Sequence, residues 1–417
     1  MSKTKSKSFC ISKQVVWEAW LRVKSNHGSA GIDEQTVDDY EQNLQNNLYK
    51  LWNRMSSGSY FPPPVRTVPI PKKAGGFRKL GIPTVEDRIA QLVAKLYLEP
   101  MVEPIFHLDS YGYRPGRSAH DALAVTRKRC WRYDWILEFD IRGLFDNIPS
   151  DLLMKALKHH TQEAWILLYV ERWLNAEIEN ETGELIRRSK GVPQGGVISP
   201  ILSNLFMHYA FDMWMQRTFP NNPICRYADD GIAHCKTKAE AETILQALRA
   251  RFEECGLELH PAKTRIIYCK DDDRLDGEKQ ETQFDFLGFS FRPRRAKNKF
   301  GRFFVSFLPA VCPNALQTMR KSVRLWKLHC RVDKTILDLS KMFSPIIRGW
   351  MNYYGKFYRS ELYNLYHYIN KKLIRWAMKK FKRLKRHRRR AQEFLARIAK
   401  ENPRLFPHWQ FVPVTIG

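Results

Sequence analysis

The sequence lacks the features that would hold the chain in a membrane or brace it with disulfides. Its eight cysteines are scattered and no two form a Cys-x-x-Cys pair, so neither a zinc ribbon nor a disulfide framework is expected. No apolar run approaches the roughly 20 residues that a membrane-spanning helix needs. Residues 1–8 are basic without a following apolar segment, unlike a secretory signal. We therefore expect a cytoplasmic, bacterial-type protein, and an organellar presequence stays open because residues 1–8 are Ser-rich and contain no acid.

Acidic residues are few relative to basic ones. The chain has 43 Asp and Glu against 70 Lys and Arg, which gives a net charge of +27 at pH 7. Such an excess opposes compact folding unless an anion offsets it, and nucleic acid is the usual anion. A basic enzyme of small molecules is the alternative. The 417 residues, 44% of them hydrophobic, predict two or three domains with sizeable cores.

A pair of adjacent carboxylates marks the stretch around which the chain is organised. Asp229 and Asp230 lie between short apolar runs and precede a glycine, which predicts two strands joined by a tight turn. Their charges repel each other, and a neighbouring cation relieves that repulsion. An apolar strand from residue 135 ends at Asp140, whose carboxylate can meet the pair across a sheet. The three acids predict a Mg²⁺ site, although Asp in a turn is common for any single segment.

These segments resemble, in order, the core motifs of reverse transcriptases. The matching residues are Phe139-Asp140-Ile141 with Phe145, Gly191-Val192-Pro193-Gln194-Gly195-Gly196 with Ser199-Pro200, and Tyr227-Ala228-Asp229-Asp230. Their residue sequences are most similar to those of group II intron-encoded reverse transcriptases, and the resemblance covers nearly the whole chain. It implies an α+β right-hand polymerase, with fingers and palm built from an antiparallel sheet and helices, and with an α-helical thumb.

The resemblance also implies the chemistry of the site. Asp140 and Asp229 would bridge two Mg²⁺ ions, Asp230 would complete the catalytic cluster, and the carbonyl of Ile141 is a further metal ligand. The run Asp271-Asp272-Asp273 is a rival metal site, but its long polar surroundings are typical of a solvated loop.

Five residues match the family's nucleotide-binding positions: Lys72, Arg78, Phe145, Gln194 and Lys263. Lys72 and Arg78 bracket a Gly-Gly turn, and this positive, flexible tip suits a triphosphate. In the family the ring at the Phe145 position clashes with a ribose 2′-hydroxyl, although such a Phe by itself is more often a core residue. Gln194 would hydrogen-bond near the base pair, and Lys263 would assist the departure of pyrophosphate.

Further cations are predicted to hold nucleic acid. Arg114 and Arg117 lie in a loop rich in Tyr, Arg and Gly, which suits contact with bases and phosphates. In a helical stretch with an apolar line, a set of cations largely avoids that line and predicts a positive face: Lys371, Lys372, Arg375, Lys379 and Lys380. The segment from Arg348 to Tyr354 resembles the signature of the family's thumb, or maturase domain.

The resemblance leads to a complete set of expectations. The domains are an N-terminal extension (1–60), fingers and palm (61–295), a helical thumb (296–385) and a basic C-terminal tail (386–417), with no HNH endonuclease. The predicted enzyme copies an RNA template from a DNA or RNA primer with dNTPs and binds its group II intron RNA to aid splicing and mobility. Two alternatives stay open: a splicing cofactor with incidental polymerase activity, and a domesticated or defence-associated reverse transcriptase.

Overall fold

The computed structural model describes residues 8–71, 76–180, 182–274 and 280–414. Lys72, which is predicted to bind nucleotide, lies outside these residues. The chain divides into two compact units, one formed by residues 1–118 and 137–266 and the other by residues 119–136 and 267–417. In the part of the chain that the structure describes, no helix is long and apolar enough to cross a membrane.

Groups of helices and groups of strands follow one another along the chain. The helices are α1 (Lys13–Ser25), α2 (Val37–Gln42), α3 (Leu44–Ser56), α4 (Val85–Val102), α5 (Ala119–Cys130), α6 (Leu144–Asn147), α7 (Ser150–His160), α8 (Ala164–Leu174), α9 (Ser199–Met207), α10 (Met213–Thr218), α11 (Lys238–Glu254), α12 (Pro313–Leu325), α13 (Ile336–Tyr354), α14 (Tyr363–Lys380) and α15 (Arg388–Glu401). The strands are β1 (Val65–Pro71), β2 (Phe77–Ile82), β3 (Trp135–Asp140), β4 (Ile178–Glu179), β5 (Leu185–Ile186), β6 (Ile224–Tyr227), β7 (Asp230–Cys235), β8 (Arg265–Tyr268), β9 (Phe284–Phe286), β10 (Phe289–Lys297) and β11 (Phe303–Val311).

Within the described residues the strands form three sheets, in the orders β2-β1-β4-β5, β6-β7-β3-β8 and β11-β10-β9. The hairpins β1–β2, β6–β7 and β10–β11 are antiparallel, whereas β1 and β4 run parallel. Helices and mainly antiparallel strands together confirm the predicted α+β class.

Local chemistry determines where several elements begin. The Thr36 hydroxyl accepts a hydrogen bond from the backbone N–H of Asp39, and the Asp39 carboxylate accepts one from the N–H of Thr36. At the start of α4, the Thr84 hydroxyl accepts a hydrogen bond from the backbone N–H of Asp87. Each such cap stabilises its helix by about 1 kcal/mol. Both caps follow from the local sequence, a threonine with an acid three residues later.

The sheet that carries Asp140 packs tightly against aromatic rings. Phe139 of β3 makes edge-on contacts with Phe211 and Phe252, at centroid distances of 4.9 and 5.9 Å. On the neighbouring strand, a side chain at Gly231 would lie only 2.1 Å from Cζ of Phe139. Glycine is therefore required directly after Asp230, because it lets β7 approach this ring.

The second unit has a helical core that extends further along the chain than predicted. The ring of Trp326 stacks on Phe343 and Trp350, at centroid distances of 4.5 and 5.7 Å. Leu395 of α15 and the following Trp409 are buried in the same core. Residues beyond 386 are thus part of the helical core and not a separate tail, and the predicted boundary at 295 falls inside β10.

Candidate polymerase site

Three carboxylates meet at the edge of the sheet formed by β6, β7, β3 and β8. Asp140 is the last residue of β3, Asp230 is the first of β7, and Asp229 lies in the turn between β6 and β7. The charges of Asp229 and Asp140 both act on the Asp230 carboxyl, so the three side chains belong to one cluster. The adjacent Ala228 has a φ of +58°, a left-handed conformation that makes the turn tight.

The cluster carries more negative charge than its surroundings accommodate. Burial, followed by the charges of Asp229 and Asp140, raises the pKa of Asp230 to about 7. Burial also raises the pKa of Asp229, and the charge of Asp140 adds to this shift. Proton uptake near neutral pH is what closely spaced carboxylates show when a cation does not balance them.

Lys263 supplies one positive charge to this cluster. Its ammonium nitrogen lies 2.7 Å from Oδ2 of Asp140, while 58% of its side chain stays exposed. Burial lowers the pKa of Lys263, but the hydrogen bond and charge of Asp140 and the charges of Asp230 and Asp229 outweigh burial and raise it overall. Among the described residues, no three Asp, Glu, His or Cys side chains are arranged as a ready metal site. The ammonium group of Lys263 thus hydrogen-bonds the Asp140 carboxylate, which a metal ion at this site would have as a ligand.

A buried ion pair supports the turn from below, and sequence reasoning missed it. The guanidinium of Arg226 binds the Asp212 carboxylate through two hydrogen bonds of 2.6 and 2.7 Å, and both side chains are almost fully buried. It also donates to the carbonyl of Ala228, to Oδ1 of Asn204 and to Oγ of Ser110. This one side chain therefore joins the turn of Asp229 and Asp230 to two other segments. The position of Arg226 beside Asp229 and Asp230 in sequence was its only signal.

The loop before α5 lies against the same turn. A side chain at Gly112 would come within 2.5 Å of the backbone nitrogen of Ala228. Burial raises the pKa of Tyr113, and the charge of Asp229 adds to the shift. Tyr113 is half-exposed beside the carboxylates, and sequence reasoning did not single it out for the site.

The side chain of Arg114 is not available to nucleic acid. Arg114 was predicted to contact nucleic acid, but its side chain is buried, pairs with Glu103 at 2.7 Å and donates to the carbonyls of His107 and Ser110. The donor groups of its guanidinium therefore bind acceptors inside the protein, and these contacts hold the loop. Arg117 is exposed beside the ring of Tyr111 and remains a predicted contact.

The predicted nucleotide pocket lies around the loop at residues 191–196. The side-chain nitrogen of Gln194 donates to Oδ2 of Asp146 at 3.1 Å, and the carbonyl of Phe145 accepts from the N–H of Val192 at 2.6 Å. The half-buried Phe145 is thus fixed to the loop that carries Gln194. Arg78 of β2 is exposed, and its charge reaches Tyr113.

The cations predicted on the helical unit fall into two groups. Lys371, Arg375 and Lys379 are exposed on α14 at intervals of four residues, so they form one face of the helix. Lys372 lies over the ring of Tyr368, and Lys380 donates to the carbonyl of Val332 at 2.8 Å. The first group is free to meet phosphates, whereas the second is partly engaged within the unit.

Comparisons with known proteins match most of the chain. The family "Reverse transcriptase (RNA-dependent DNA polymerase)" matches residues 70–291, and "Group II intron, maturase-specific domain" matches residues 316–394. Protein YkfC of Escherichia coli (strain K12) is 33% identical over 289 residues, which are 60% of this chain and 75% of that protein.

Two further comparisons cover less. Group II intron-encoded protein LtrA of Lactococcus lactis subsp. cremoris is 31% identical over 203 residues, 48% of this chain, and the match spans only 33% of LtrA. A structure of telomerase from Candida albicans superposes with a TM-score of 0.46 and 11% identity, covering 91% of this chain and 69% of that one.

Proposed function

We propose, from the premise that the chain belongs to the reverse transcriptase family of RNA-dependent DNA polymerases, that Asp140, Asp229 and Asp230 form its catalytic centre. The chain is an RNA-directed DNA polymerase of group II intron type, since a maturase-specific domain follows the polymerase match. The observation that carries the site is the meeting of three carboxylates, two with raised pKa, at one sheet edge. Such a cluster suits divalent cations and the phosphates that accompany them.

The donor set fits Mg²⁺. Asp140, Asp229 and Asp230 offer oxygen ligands, and the ammonium of Lys263 on Asp140 already marks the place of a cation. When bound, Mg²⁺ supplies activation of the primer 3′-hydroxyl and neutralisation of the triphosphate. The carbonyl of Ile141 is a further proposed ligand.

The protein's own groups prepare this centre. The carboxyl of Asp230 has to release its proton, with a pKa of about 7, before it can act as a full ligand. Lys263, largely exposed, is free to leave Asp140 and to meet the phosphates of the leaving group. The Arg226–Asp212 pair keeps the turn in place while these charges change.

The neighbouring groups select and hold the substrate. Arg78 and Lys72 would bind the triphosphate of the incoming dNTP, which favours cations in this position. The ring of Phe145, fixed to the loop of Gln194, would exclude a 2′-hydroxyl by steric contact. Arg117 and the exposed cations of α14 would hold an RNA template paired with a DNA or RNA primer through its backbone.

Primer extension tests this proposal. The natural chain, given Mg²⁺, an RNA template, a primer and dNTPs, is expected to extend the primer, and Asp229→Asn is expected to lose extension by several orders of magnitude. A binding measurement on the same samples shows whether both proteins hold the template–primer equally. Equal extension by both proteins would refute the assignment of Asp229, and absence of extension by a natural chain that binds normally would refute the polymerase activity.

A role in splicing is a second candidate, favoured by the maturase-specific match over residues 316–394 and the exposed cations of α14. In this role the protein would bind its own group II intron RNA and stabilise the folded form. A splicing assay with the precursor RNA at low Mg²⁺ tests it, with Asp229→Asn as the matched variant. Splicing that is stimulated equally by both proteins supports a function independent of polymerisation, whereas no stimulation by either refutes it.

A further inference from the structure

A basic and aromatic hairpin lies between the two family matches. Strands β10 and β11, Phe289–Lys297 and Phe303–Val311, pair over their full length, and residues 292–315 belong to neither matched region. The sequence contains no Asp or Glu from residue 286 to residue 332. The tip of this hairpin therefore carries positive charge that its own segment does not offset.

The tip also exposes aromatic rings. Phe300 is 77% exposed in the connecting turn, and Phe303 is 65% exposed at the start of β11. Nζ of Lys299 lies 4.9 Å from the centroid of the Phe300 ring. Cζ of Arg295 and Nζ of Lys297 lie 5.1 and 5.7 Å from the centroid of the Phe303 ring. Two neighbouring exposed rings flanked by cations suit a ligand that has both flat groups that stack and negative charge.

Pairing places Phe303, Arg295 and Lys297 on one face of the hairpin. Lys297 stands opposite Phe303 and Arg295 stands opposite Val305, so their side chains share one side of the hairpin. The same side continues toward the base of the hairpin as buried rings, where Phe291 stacks on Phe284 at 4.6 Å. Arg294, by contrast, points to the other side and pairs with Glu361. Among the described residues, no carboxylate pairs with Arg295, Lys297, Lys299 or Arg302.

The tip is held in one conformation. The side-chain oxygen of Asn298 accepts hydrogen bonds from the N–H groups of Phe300 and Arg302, at 2.9 and 3.0 Å. Gly301 adopts the left-handed φ of +82° that the turn requires. Lower on the hairpin, the Asp272 carboxylate accepts from the N–H of Val305 at 2.7 Å. The run Asp271-Asp272-Asp273, the rival metal site, thus helps to fix this hairpin.

We infer that the tip of the β10–β11 hairpin binds an unpaired segment of nucleic acid, with bases stacked on Phe300 and Phe303 and phosphates held by the neighbouring cations. Bases offer the flat apolar face that the rings need, and each phosphate offers the charge that the cations lack. A duplex would satisfy only the cations, because its bases are already stacked and paired. Single strands of RNA and of DNA share this chemistry.

Binding of short labelled oligonucleotides tests the inference without nucleotides or polymerisation, so its outcome is independent of the catalytic proposal. Fluorescence anisotropy at fixed salt compares an unstructured RNA, a DNA of the same sequence and a blunt RNA duplex. Replacing Phe300 and Phe303 together by Leu keeps apolar bulk and removes the rings. We expect a loss of at least about fivefold in single-strand affinity for each ring that stacks, with duplex binding unchanged.

Two controls separate stacking and local charge from general effects. Leu325→Ala removes another exposed apolar side chain, 75% exposed, and is expected to change nothing. Lys299→Ala is expected to lower the slope of log affinity against log salt by about 0.7, whereas Arg249→Ala, which removes an exposed charge from α11, is expected to leave the slope unchanged. Thermal unfolding of each variant establishes that the hairpin's unit stays folded.

Crosslinking gives a direct readout. A single strand that carries 5-iodouracil is expected to crosslink, on irradiation, to Phe300 or Phe303, as identified by mass spectrometry of the peptides. A loss of affinity confined to the RNA or to the DNA oligonucleotide supports the inference and identifies which kind of single strand the tip binds. Unchanged single-strand affinity in the Leu variant, an equal loss for the duplex, equal slopes for Lys299→Ala and Arg249→Ala, or crosslinks elsewhere would each overturn it.

Discussion

The raised pKa of Asp230 predicts that metal-free protein loses stability as pH rises, and that Asp230→Asn removes this loss. The folded state raises this pKa from 3.8 to about 7, so it binds the proton more tightly than the unfolded state does. The stabilising contribution of the protonated carboxyl is complete below about pH 4 and disappears as pH rises through about 7. A shift of about three pKa units corresponds to at most ~4 kcal/mol, and partial exposure reduces this value.

Asn has the shape of the protonated carboxyl and, like it, can donate a hydrogen bond, but it has no ionisable proton. We therefore expect Asp230→Asn to unfold at nearly the same urea concentration as the natural chain at pH 4 and at a higher one at pH 8. The assay is urea unfolding in EDTA, followed by circular dichroism between pH 4 and pH 8. Asp273→Asn, which removes an exposed carboxylate outside the site, controls for net charge.

The same variant separates stability from function. Added Mg²⁺ should stabilise the natural chain at pH 8 and should stabilise Asp230→Asn far less, because a neutral amide is a poor ligand for this ion. At subsaturating Mg²⁺, primer extension by the natural chain should rise as pH increases through about 7. Identical pH dependence of unfolding in the natural chain and in Asp230→Asn would refute the electrostatic reasoning.

Three further predictions concern the groups around the carboxylates. Phe145→Ala should raise the kcat/KM ratio of ribonucleotides to deoxyribonucleotides by roughly 10- to 100-fold, and single-nucleotide incorporation measures it; an unchanged ratio would place the discrimination elsewhere. Asp212→Ala leaves the Arg226 guanidinium buried without its partner and should cost about 3–5 kcal/mol of unfolding free energy. The double variant that also carries Arg226→Met should lose less unfolding free energy. Equal stability of the two variants would contradict the role of this pair. Combined alanine substitution of Lys371, Arg375 and Lys379 should lower the slope of log affinity against log salt for template–primer binding by about 2 to 3. An unchanged slope would show that α14 does not contact the nucleic acid.

Local rules predicted much of the fold from the sequence. The hydroxyls of Thr36 and Thr84, each followed by an acid three residues later, mark the beginnings of α2 and α4. The turn of Asp229 and Asp230 was also correctly predicted as the junction of two strands. These signals act over a few residues, so they can be read without knowledge of the tertiary structure.

Features that depend on distant partners could not be predicted in this way. Arg114 has the same local surroundings whether it meets a phosphate or the carboxylate of Glu103, and only the fold brings Glu103 to it. Asp212 and Arg226 are 14 residues apart, in different elements. In the C-terminal region, the basic run at residues 386–390, which extends into α15, concealed the apolar side of that helix, including Leu395, which packs in the core.

Iron-directed cleavage of the protein tests whether the three carboxylates hold the metal ion. Fe²⁺ bound in place of Mg²⁺, with ascorbate and hydrogen peroxide, cuts the polypeptide close to the ion. We expect cuts beside Asp140 and beside Asp229, which excess Mg²⁺ suppresses and Asp229→Asn abolishes. Cuts only at other positions, or the same cuts in Asp229→Asn, would contradict it.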